Sequence, residues 1–365
     1  MHFRILQAQQ LPEHLRTSVL KSPLISIIIP TKNRGHLIGE TLDAVISQTE
    51  KNWECIIVDD GSTDNSIGII SKYTNTDERI RLVKRERDPQ GGSVCRNIAA
   101  QNARGNYFIF LDSDDIITPE FVGERIAQIN LNPTKDLIIF PSAIFYKKIG
   151  DTKKLWNILH KEGRSDLSRF LDQDNPWHTA GPVWKKEAFF QIGGFDENAQ
   201  SAQDWEIHSR ALILGLKYHK TEDAEENLHH FIRKHDGDSI STEKPSKQRL
   251  ENRMNTFRTI VKLFHERGLH KTSLRENLIG HYFRVSSRAY SDSLKREGAR
   301  NIQVLVTEGI ISKTLESLLL LKLNISESTH LSFVDKAIDL ILFRFYGLSN
   351  LEIPKGRTKG AIYFG

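Results

Sequence analysis

The feature that most constrains this chain is a recurrence of short apolar, β-branched runs, each followed by a helix-like stretch. Leu24–Ile29 reads as a buried strand ended by Pro30, and Thr41–Gln48 as a helix with Leu42, Val45 and Ile46 on one face. Glu54–Val58 is a second strand, stopped by the turn residues Asp60-Gly61-Ser62, and Ile67–Tyr73 is again helical. Ile80–Lys84 and Asn106–Leu111 read as further strands around a helix at Val94–Ala103. Thr118-Pro119-Glu120 opens another helix, with a cap residue and Pro in the first turn. Leu137–Tyr146 reads as a fifth strand. Such alternation predicts an α/β fold, a mainly parallel sheet with helices on both faces, whose ligands collect at the carboxyl ends of the strands.

Length and composition narrow the function classes. The 365 residues suit one large domain plus a smaller one, and 38% hydrophobic with 27% charged residues is an ordinary globular balance. Lys and Arg exceed Asp and Glu, 51 against 46, a modest excess that suits an anionic ligand or an acidic surface. The basic residues are not clustered with aromatics, so no nucleic-acid partner is expected. Cys55 and Cys95 are too few for a disulfide framework or a zinc site, which points to the cytoplasm. No signal-peptide core is expected in Met1–Lys21, and no apolar run approaches the ~20 residues of a membrane span.

Acidic clusters stand where the strands end. Asp59-Asp60-Gly61-Ser62-Thr63-Asp64 has a plain reading as a tight turn with a helix cap. It has a second reading in which Asp60 accepts a hydrogen bond from a nucleobase N–H. Asp112-Ser113-Asp114-Asp115 places three carboxylates in four positions, which repel unless a cation or solvent relieves them. An Asp-x-Asp pair is the minimum that holds a hard divalent ion while leaving coordination sites for phosphates. An EF-hand is excluded, since its sixth and twelfth positions would be Ile117 and Gly123. In Gln203-Asp204-Trp205-Glu206 the acids suit a helix N-terminus, but Asp204 also suits a general base for an acceptor hydroxyl.

The order of the motifs is more specific than any one of them. Ser26-Ile27-Ile28-Ile29-Pro30-Thr31-Lys32-Asn33-Arg34 is followed by Val58-Asp59-Asp60-Gly61-Ser62, then by Gly92 with Arg96-Asn97. Ala103-Arg104-Gly105-Asn106-Tyr107 then runs into Leu111-Asp112-Ser113-Asp114-Asp115, and Gly193-Gly194-Phe195-Asp196-Glu197 and Asp204-Trp205 come after. This series resembles the family 2 glycosyltransferases over about residues 24–241. The resemblance implies a GT-A fold, a Rossmann-like sheet joined to an acceptor-binding half, and an inverting transfer from a nucleotide-diphosphate sugar, with a UDP-sugar favoured. It implies a nucleoside and diphosphate pocket of Pro30, Thr31, Asn33, Arg34, Asp60, Gly92, Arg96 and Asp112. It further implies a Mn²⁺ or Mg²⁺ ion at Asp112 and Asp114, with Asp115 able to share the task, and Asp204 as catalytic base. His235, in His235-Asp236-Gly237, resembles a loop residue that reaches the metal or diphosphate. Trp177, His178 and Trp205 are weaker candidates for the acceptor side.

Departures from the family pattern are informative. Lys32 stands where many members place an aromatic residue that stacks on uracil, and Gln203 replaces the acid that often precedes the base. The Gln-x-x-Arg-Trp signature of processive synthases is absent, so a single addition is expected. A nucleotidyltransferase would carry a Gly-rich, basic loop after the first strand, and Pro30-Thr31-Lys32-Asn33-Arg34-Gly35 is a poor version of one. The other alternative is an inactive nucleotide-sugar-binding module. The expected domains are an N-terminal extension over 1–23, a catalytic domain over 24–245 and a helical C-terminal region over 246–365. In the last, Leu250, Met254, Phe257, Val261 and Phe264 form an amphipathic seam. That seam can pack on the catalytic domain, pair with a second copy in a homodimer, or present a basic face to the inner side of the cell membrane. A glycan or lipid-linked saccharide acceptor, as in bacterial surface polysaccharide synthesis, completes the expectation.

Overall fold

A computed structural model describes residues 25–234, 247–291, 294–325, 332–348 and 351. The expected N-terminal extension and the expected boundary near residue 245 lie outside the described residues, as does His235.

Ile25–Thr31 (β1) is the centre of the molecule. It pairs in parallel with Trp53–Asp59 (β2) on one side and Tyr107–Phe110 (β4) on the other, and Ile80–Lys84 (β3) extends the parallel set beyond β2. A strand buried on both faces need not alternate apolar with polar residues. Its neighbours still do separate by face. Ile25, Ile27 and Ile29 meet Ile38–Ile46 (α1), Ser66–Thr74 (α2) and Phe121–Leu131 (α4) on one side. Ile28, Ile56, Phe108 and Phe110 meet Gly92–Asn102 (α3) on the other. Pro30 sits inside β1, opposite Val58, rather than ending it.

The sheet is mixed beyond β4. Pro182–Lys185 (β9) runs antiparallel to both β4 and Leu137–Ile139 (β6), and Tyr218–Lys220 (β10) closes the seven-stranded order β10-β6-β9-β4-β1-β2-β3. The expected fifth strand is two strands in different sheets. β6 joins the large sheet, while Ala143–Phe145 (β7) pairs with His230–Arg233 (β11) and Lys154–Leu155 (β8) in a four-stranded sheet with Ile116–Ile117 (β5). Pro141 lies at the break, where its fixed φ and missing N–H stop a ladder that periodicity alone would continue.

The helices Asp166–Leu171 (α5), Lys186–Gln191 (α6) and Gln203–Ile213 (α7) pack on the α3 side of the sheet. Lys247–Glu266 (α8), Leu274–Ser291 (α9), Lys295–Thr307 (α10), Lys313–Ile325 (α11) and Ser332–Tyr346 (α12) form the helical C-terminal region. The predicted seam faces inward. Met254, Phe257, Val261 and Phe264 are buried, and the last three belong to the same apolar cluster as Phe110 and Trp205. No helix is long and apolar enough to cross a membrane among the described residues.

Candidate active site

Strand order reverses beside β1, because the chain leaves β3 through α3 and returns to β4 on the opposite side. A crevice therefore opens at the carboxyl ends of β1, β2 and β4, where Thr31, Asp59, Asp60 and Asp112 emerge.

On the β1–β2 side, backbone turns are tied by side chains. The Asn33 N–H donates to Ser62 Oγ at 2.9 Å and Asn33 Oδ1 accepts from Thr63 N–H at 2.8 Å. Asn33 has φ 52°, a left-handed conformation that Asn tolerates better than most residues. Arg34 N–H donates to Ser66 Oγ at 2.8 Å, which fixes the loop over the start of α2. Asp60 is 7% exposed. Its Oδ1 accepts from Arg85 Nε at 2.6 Å and from Gly91 N–H at 3.2 Å, and its Oδ2 lies 3.8 Å from Lys32 Nζ. Burial, helped by the Asp60 carboxylate beside it, pushes the Cys95 thiol up to about 12, so this cysteine is a protonated neighbour and no nucleophile. Thr31 Oγ1 and Asp59 Oδ1 are buried without a hydrogen-bond partner among the described residues.

Arg96, from α3, joins the two halves of the crevice. It donates to Asp112 Oδ1 at 2.7 Å and to Gln203 Oε1 at 2.9 Å, and its guanidinium lies 5.3 Å from the Phe195 ring centre. Gly92 sits one turn below, and a Cβ there would come within 2.9 Å of Arg96 Nη1 and 3.3 Å of Gln203 Oε1. The loop Gly193-Gly194-Phe195-Asp196-Glu197 is held by Asn97, which donates to Phe195 O and Glu197 Oε1, both at 2.9 Å, and accepts from Phe195 N–H at 2.9 Å. Arg87 closes it with two 2.6 Å bonds to Glu197.

The acidic cluster divides its labour. Arg34 Nε lies 3.7 Å from Asp114 Oδ2. Asp115 turns inward instead and is 2% exposed. It bonds His230 Nε2 at 2.9 Å and accepts from Arg233 N–H at 3.0 Å, while His230 Nδ1 reaches Ser142 Oγ at 2.8 Å. Burial pushes the Asp115 carboxyl up, with Asp112 and Asp114 adding to the effect, and burial pushes the His230 imidazole down. His178 stacks on His230 with centroids 5.8 Å apart, and its Nε2 is 3.9 Å from Asp112 Oδ2. Burial lowers the His178 pKa, and the negative charges of Asp112 and Asp204 oppose that shift. Asp115, His178 and His230 bring their ligand atoms within 4.8 Å of one another.

Asp204 is the second residue of α7, after Gln203 and the N-cap Ala202, whose φ of 55° places it in the left-handed region. A β-carbon residue in that region marks a turn fixed by its surroundings. The next residue is oriented firmly. Trp205 is 2% exposed, donates its Nε1–H to Phe170 O at 2.7 Å, and packs 4.7 Å from Phe257 and 4.9 Å from His281. Glu206 is buried and accepts two bonds from Arg210 at 2.6 and 2.9 Å.

The expected residues are therefore partly gathered. Thr31, Asn33, Arg34, Asp60, Gly92, Arg96, Asp112, Asp114, His178 and Asp204 surround the crevice. Trp177 and Trp205 are corrected to core residues. Trp177 is 3% exposed, packed against Phe170, His208 and Tyr218, so neither indole offers a face to an acceptor. Sequence reasoning missed Arg85, His230, Arg233 and Lys234. Burial lowers the Lys234 pKa while Asp115 and Asp114 raise it, and its Nζ lies 4.5 Å from the Trp156 ring centre. For the last three the only local signal was the pair Arg233-Lys234 after a short apolar run, and Asp115, which His230 and Arg233 bond, lies more than a hundred residues away in sequence.

Residues 26–189 match the family model described as glycosyl transferase family 2. The putative teichuronic acid biosynthesis glycosyltransferase TuaG of Bacillus subtilis is 45% identical over 93 residues, 26% of this chain and 36% of that protein. The poly(ribitol-phosphate) beta-glucosyltransferase of Bacillus spizizenii is 41% identical over 98 residues, 26% of this chain and 16% of that protein. The chain spans about a third of the length of the first curated relatives it matches. Among solved structures, residues 1–349 of Staphylococcus aureus TarS in complex with UDP-GlcNAc align with a TM-score of 0.63 at 19% identity, over 86% of this chain and 91% of that one. That likeness bears on fold. The chain has a GT-A fold with a helical C-terminal region.

Proposed function

Because residues 26–189 belong to glycosyl transferase family 2, we propose that this chain moves a single sugar from a nucleotide-diphosphate sugar to a hydroxyl of a glycan or lipid-linked acceptor, with inversion at the anomeric carbon. One observation carries the reading. His178 Nε2 lies 3.9 Å from Asp112 Oδ2 at the exit of β4, and the charge of Asp204 at the start of α7 also raises its pKa, so a donor-side and an acceptor-side carboxylate bear on one space. The donor is a UDP-sugar, hexosyl or N-acetylhexosaminyl, a choice supported by the UDP-GlcNAc bound to TarS. Bacterial surface polysaccharide synthesis is the setting, in keeping with the teichuronic acid and poly(ribitol-phosphate) relatives. A place at the inner face of the membrane rests on the last helix and is taken up below.

In this reading Pro30, Thr31, Asn33, Arg34 and Asp60 hold the nucleoside. The partnerless Thr31 Oγ1 and Asp59 Oδ1 mark that pocket as shaped for further polar partners. Arg34 and Arg96 exchange their carboxylate partners for the diphosphate. Asp112 and Asp114, at the exit of β4, offer hard carboxylate oxygens of the kind Mn²⁺ or Mg²⁺ prefers, and they would hold such an ion. An ion drawn to Asp115 and His230 would have to break their 2.9 Å bond. When bound, the ion supplies charge neutralisation at the diphosphate leaving group. Asp204 takes the proton of the acceptor hydroxyl, the acceptor oxygen forms a bond to the anomeric carbon, and the bond to the diphosphate oxygen breaks on the opposite face. His178, whose pKa burial lowers against the pull of Asp112 and Asp204, lines the space.

Calorimetric titration of UDP, GDP and dTDP, with and without Mn²⁺, tests this on the native chain and on Asp114→Asn. Metal-dependent binding of UDP, lost in the variant, is expected. Absence of nucleotide binding in every condition would overturn the donor site and leave the acidic clusters as helix caps.

A further inference from the structure

The last helix turns much of its apolar surface outward. Ile338 and Leu342 of α12 are buried in the bundle, yet Leu340, Phe343 and Phe345 are 62%, 59% and 72% exposed, with Val334 and Ile341 beside them at 40% and 38%. At 100° per residue, Lys336, Leu340, Phe343 and Arg344 fall on the side opposite the buried pair. Val334, Ile341 and Phe345 are exposed toward the buried side or its flank, and exposed apolar residues scattered singly are ordinary, but Leu340 and Phe343 stand together on the outward face between two cations.

The charges of the helix are sorted by face. Asp335 and Asp339 turn back to Lys322 of α11, at 3.0 and 2.7 Å, and the Lys322 side chain is 6% exposed. Lys336 and Arg344 are exposed. The two acids of α12 are thus both paired with Lys322, although the Asp339 side chain is 48% exposed, and the side opposite the buried pair carries Leu340, Phe343 and two cations. A two-fold pairing of this face would bring Lys336 and Arg344 toward their own copies, with the acids of the helix already engaged by Lys322. An anionic lipid surface meets both halves of the pattern, since its headgroups attract the cations and its acyl boundary accepts the apolar side chains.

We infer that α12 is a surface helix that docks the chain on anionic lipid, with Leu340 and Phe343 entering the headgroup boundary and Lys336 and Arg344 meeting the headgroups. Docking would keep the crevice near a lipid-linked acceptor, a consequence that rests on the proposed transfer. The docking itself needs neither donor nor turnover, so its failure and that of the transfer reading are told apart by nucleotide titration.

The test is co-sedimentation of the full chain with phosphatidylglycerol/phosphatidylcholine vesicles and with phosphatidylcholine alone, alongside sedimentation velocity without lipid. Binding to the anionic vesicles at low salt is expected, weakening as salt is added. Leu340→Glu with Phe343→Glu should reduce partitioning by about a hundredfold, since two apolar side chains leave the boundary and two like charges enter it. Lys336→Gln or Arg344→Gln should each reduce it about fivefold, the loss of one cation near an anionic surface. Circular dichroism checks that these surface variants keep their helix content. Failure of the native chain to bind anionic vesicles, or equal binding by the Leu340/Phe343 variant, overturns the inference. So does a native dimer that the same variant converts to monomer, which would make a second copy the occupant of this face.

Discussion

The crevice and the helical bundle behind it are held together by different physics. Around the crevice, carboxylates are matched with guanidiniums: Asp60 with Arg85, Asp112 with Arg96, and Asp114 with Arg34 at a longer distance. The Asp114–Arg34 pair and the Asp112 carboxylate keep some contact with solvent, where an ion pair adds little to stability and is readily exchanged for a ligand, while Asp60 and Arg85 are about nine-tenths buried. Behind them, α8–α10 contribute Phe257, Ile260, Val261, Phe264, Leu278, Ile279 and Leu305, all fully buried, with few polar groups among them. Asn301 is one, and it donates to Tyr282 O and Ser286 Oγ at 3.1 and 2.9 Å. The difference teaches where each kind of damage should appear. Changes in the crevice should reach chemistry and spare the fold; changes in the bundle should reach the fold, and through Trp205 the placement of Asp204.

The largest separation is expected from Asp204→Asn. Loss of a general base lowers turnover by about 10²–10⁴-fold, while the melting temperature stays near that of the native chain. A radiolabelled sugar-transfer assay beside differential scanning fluorimetry measures both, and unchanged turnover would remove Asp204 from the mechanism. Phe257→Ala is its counterpart in the bundle. The ring packs 4.7 Å from Trp205 and 4.2 Å from His281, and its loss should destabilise the fold by about 3–5 kcal/mol in chemical denaturation. Nucleotide affinity of the molecules that remain folded should hardly change. A large loss of UDP affinity at full stability would break the comparison.

A smaller effect, confined to acid, sharpens it. His208 is four residues after Asp204, lies against Phe170, Trp177 and Trp184, and burial pushes its pKa down to about 3. Its unfolded value is near 6.5. The folded state therefore disfavours the proton, and the stability this neutral imidazole permits is present above pH 6.5 and is lost as pH falls from there toward 3. The slope is about 1.4 kcal/mol per pH unit. His208→Phe should flatten the dependence of denaturation midpoint on pH between 6.5 and 5, and parallel curves for the two proteins would show that the imidazole does not carry it.

The sequence by itself determined the parallel half of the sheet and the polar residues that stand at its carboxyl edge. Strands β1, β2 and β4 are mainly apolar runs because both faces are covered, while the edge strand β3 is half-buried, and the strand exits carry Asp, Ser, Thr and Gly for local reasons of turn and cap chemistry. Motif order then placed Asn33, Asp60, Arg96 and Asp112 in one crevice. Tertiary structure alone decided the rest. It split Leu137–Tyr146 at Pro141 between two sheets, and the second sheet set His230 against Asp115 across 115 positions. It sent Trp177 and Trp205 inward, although an indole in a loop reads equally well as a ligand platform or a packing residue. It also drew Asp335 and Asp339 to Lys322, leaving the cations of α12 outside. The physical reason is common to these cases. Strand runs, turns and caps are set by residues within a few positions of one another. Which side of a bend faces the core, and which charge finds which partner, depends on surfaces brought together only when the whole chain is packed.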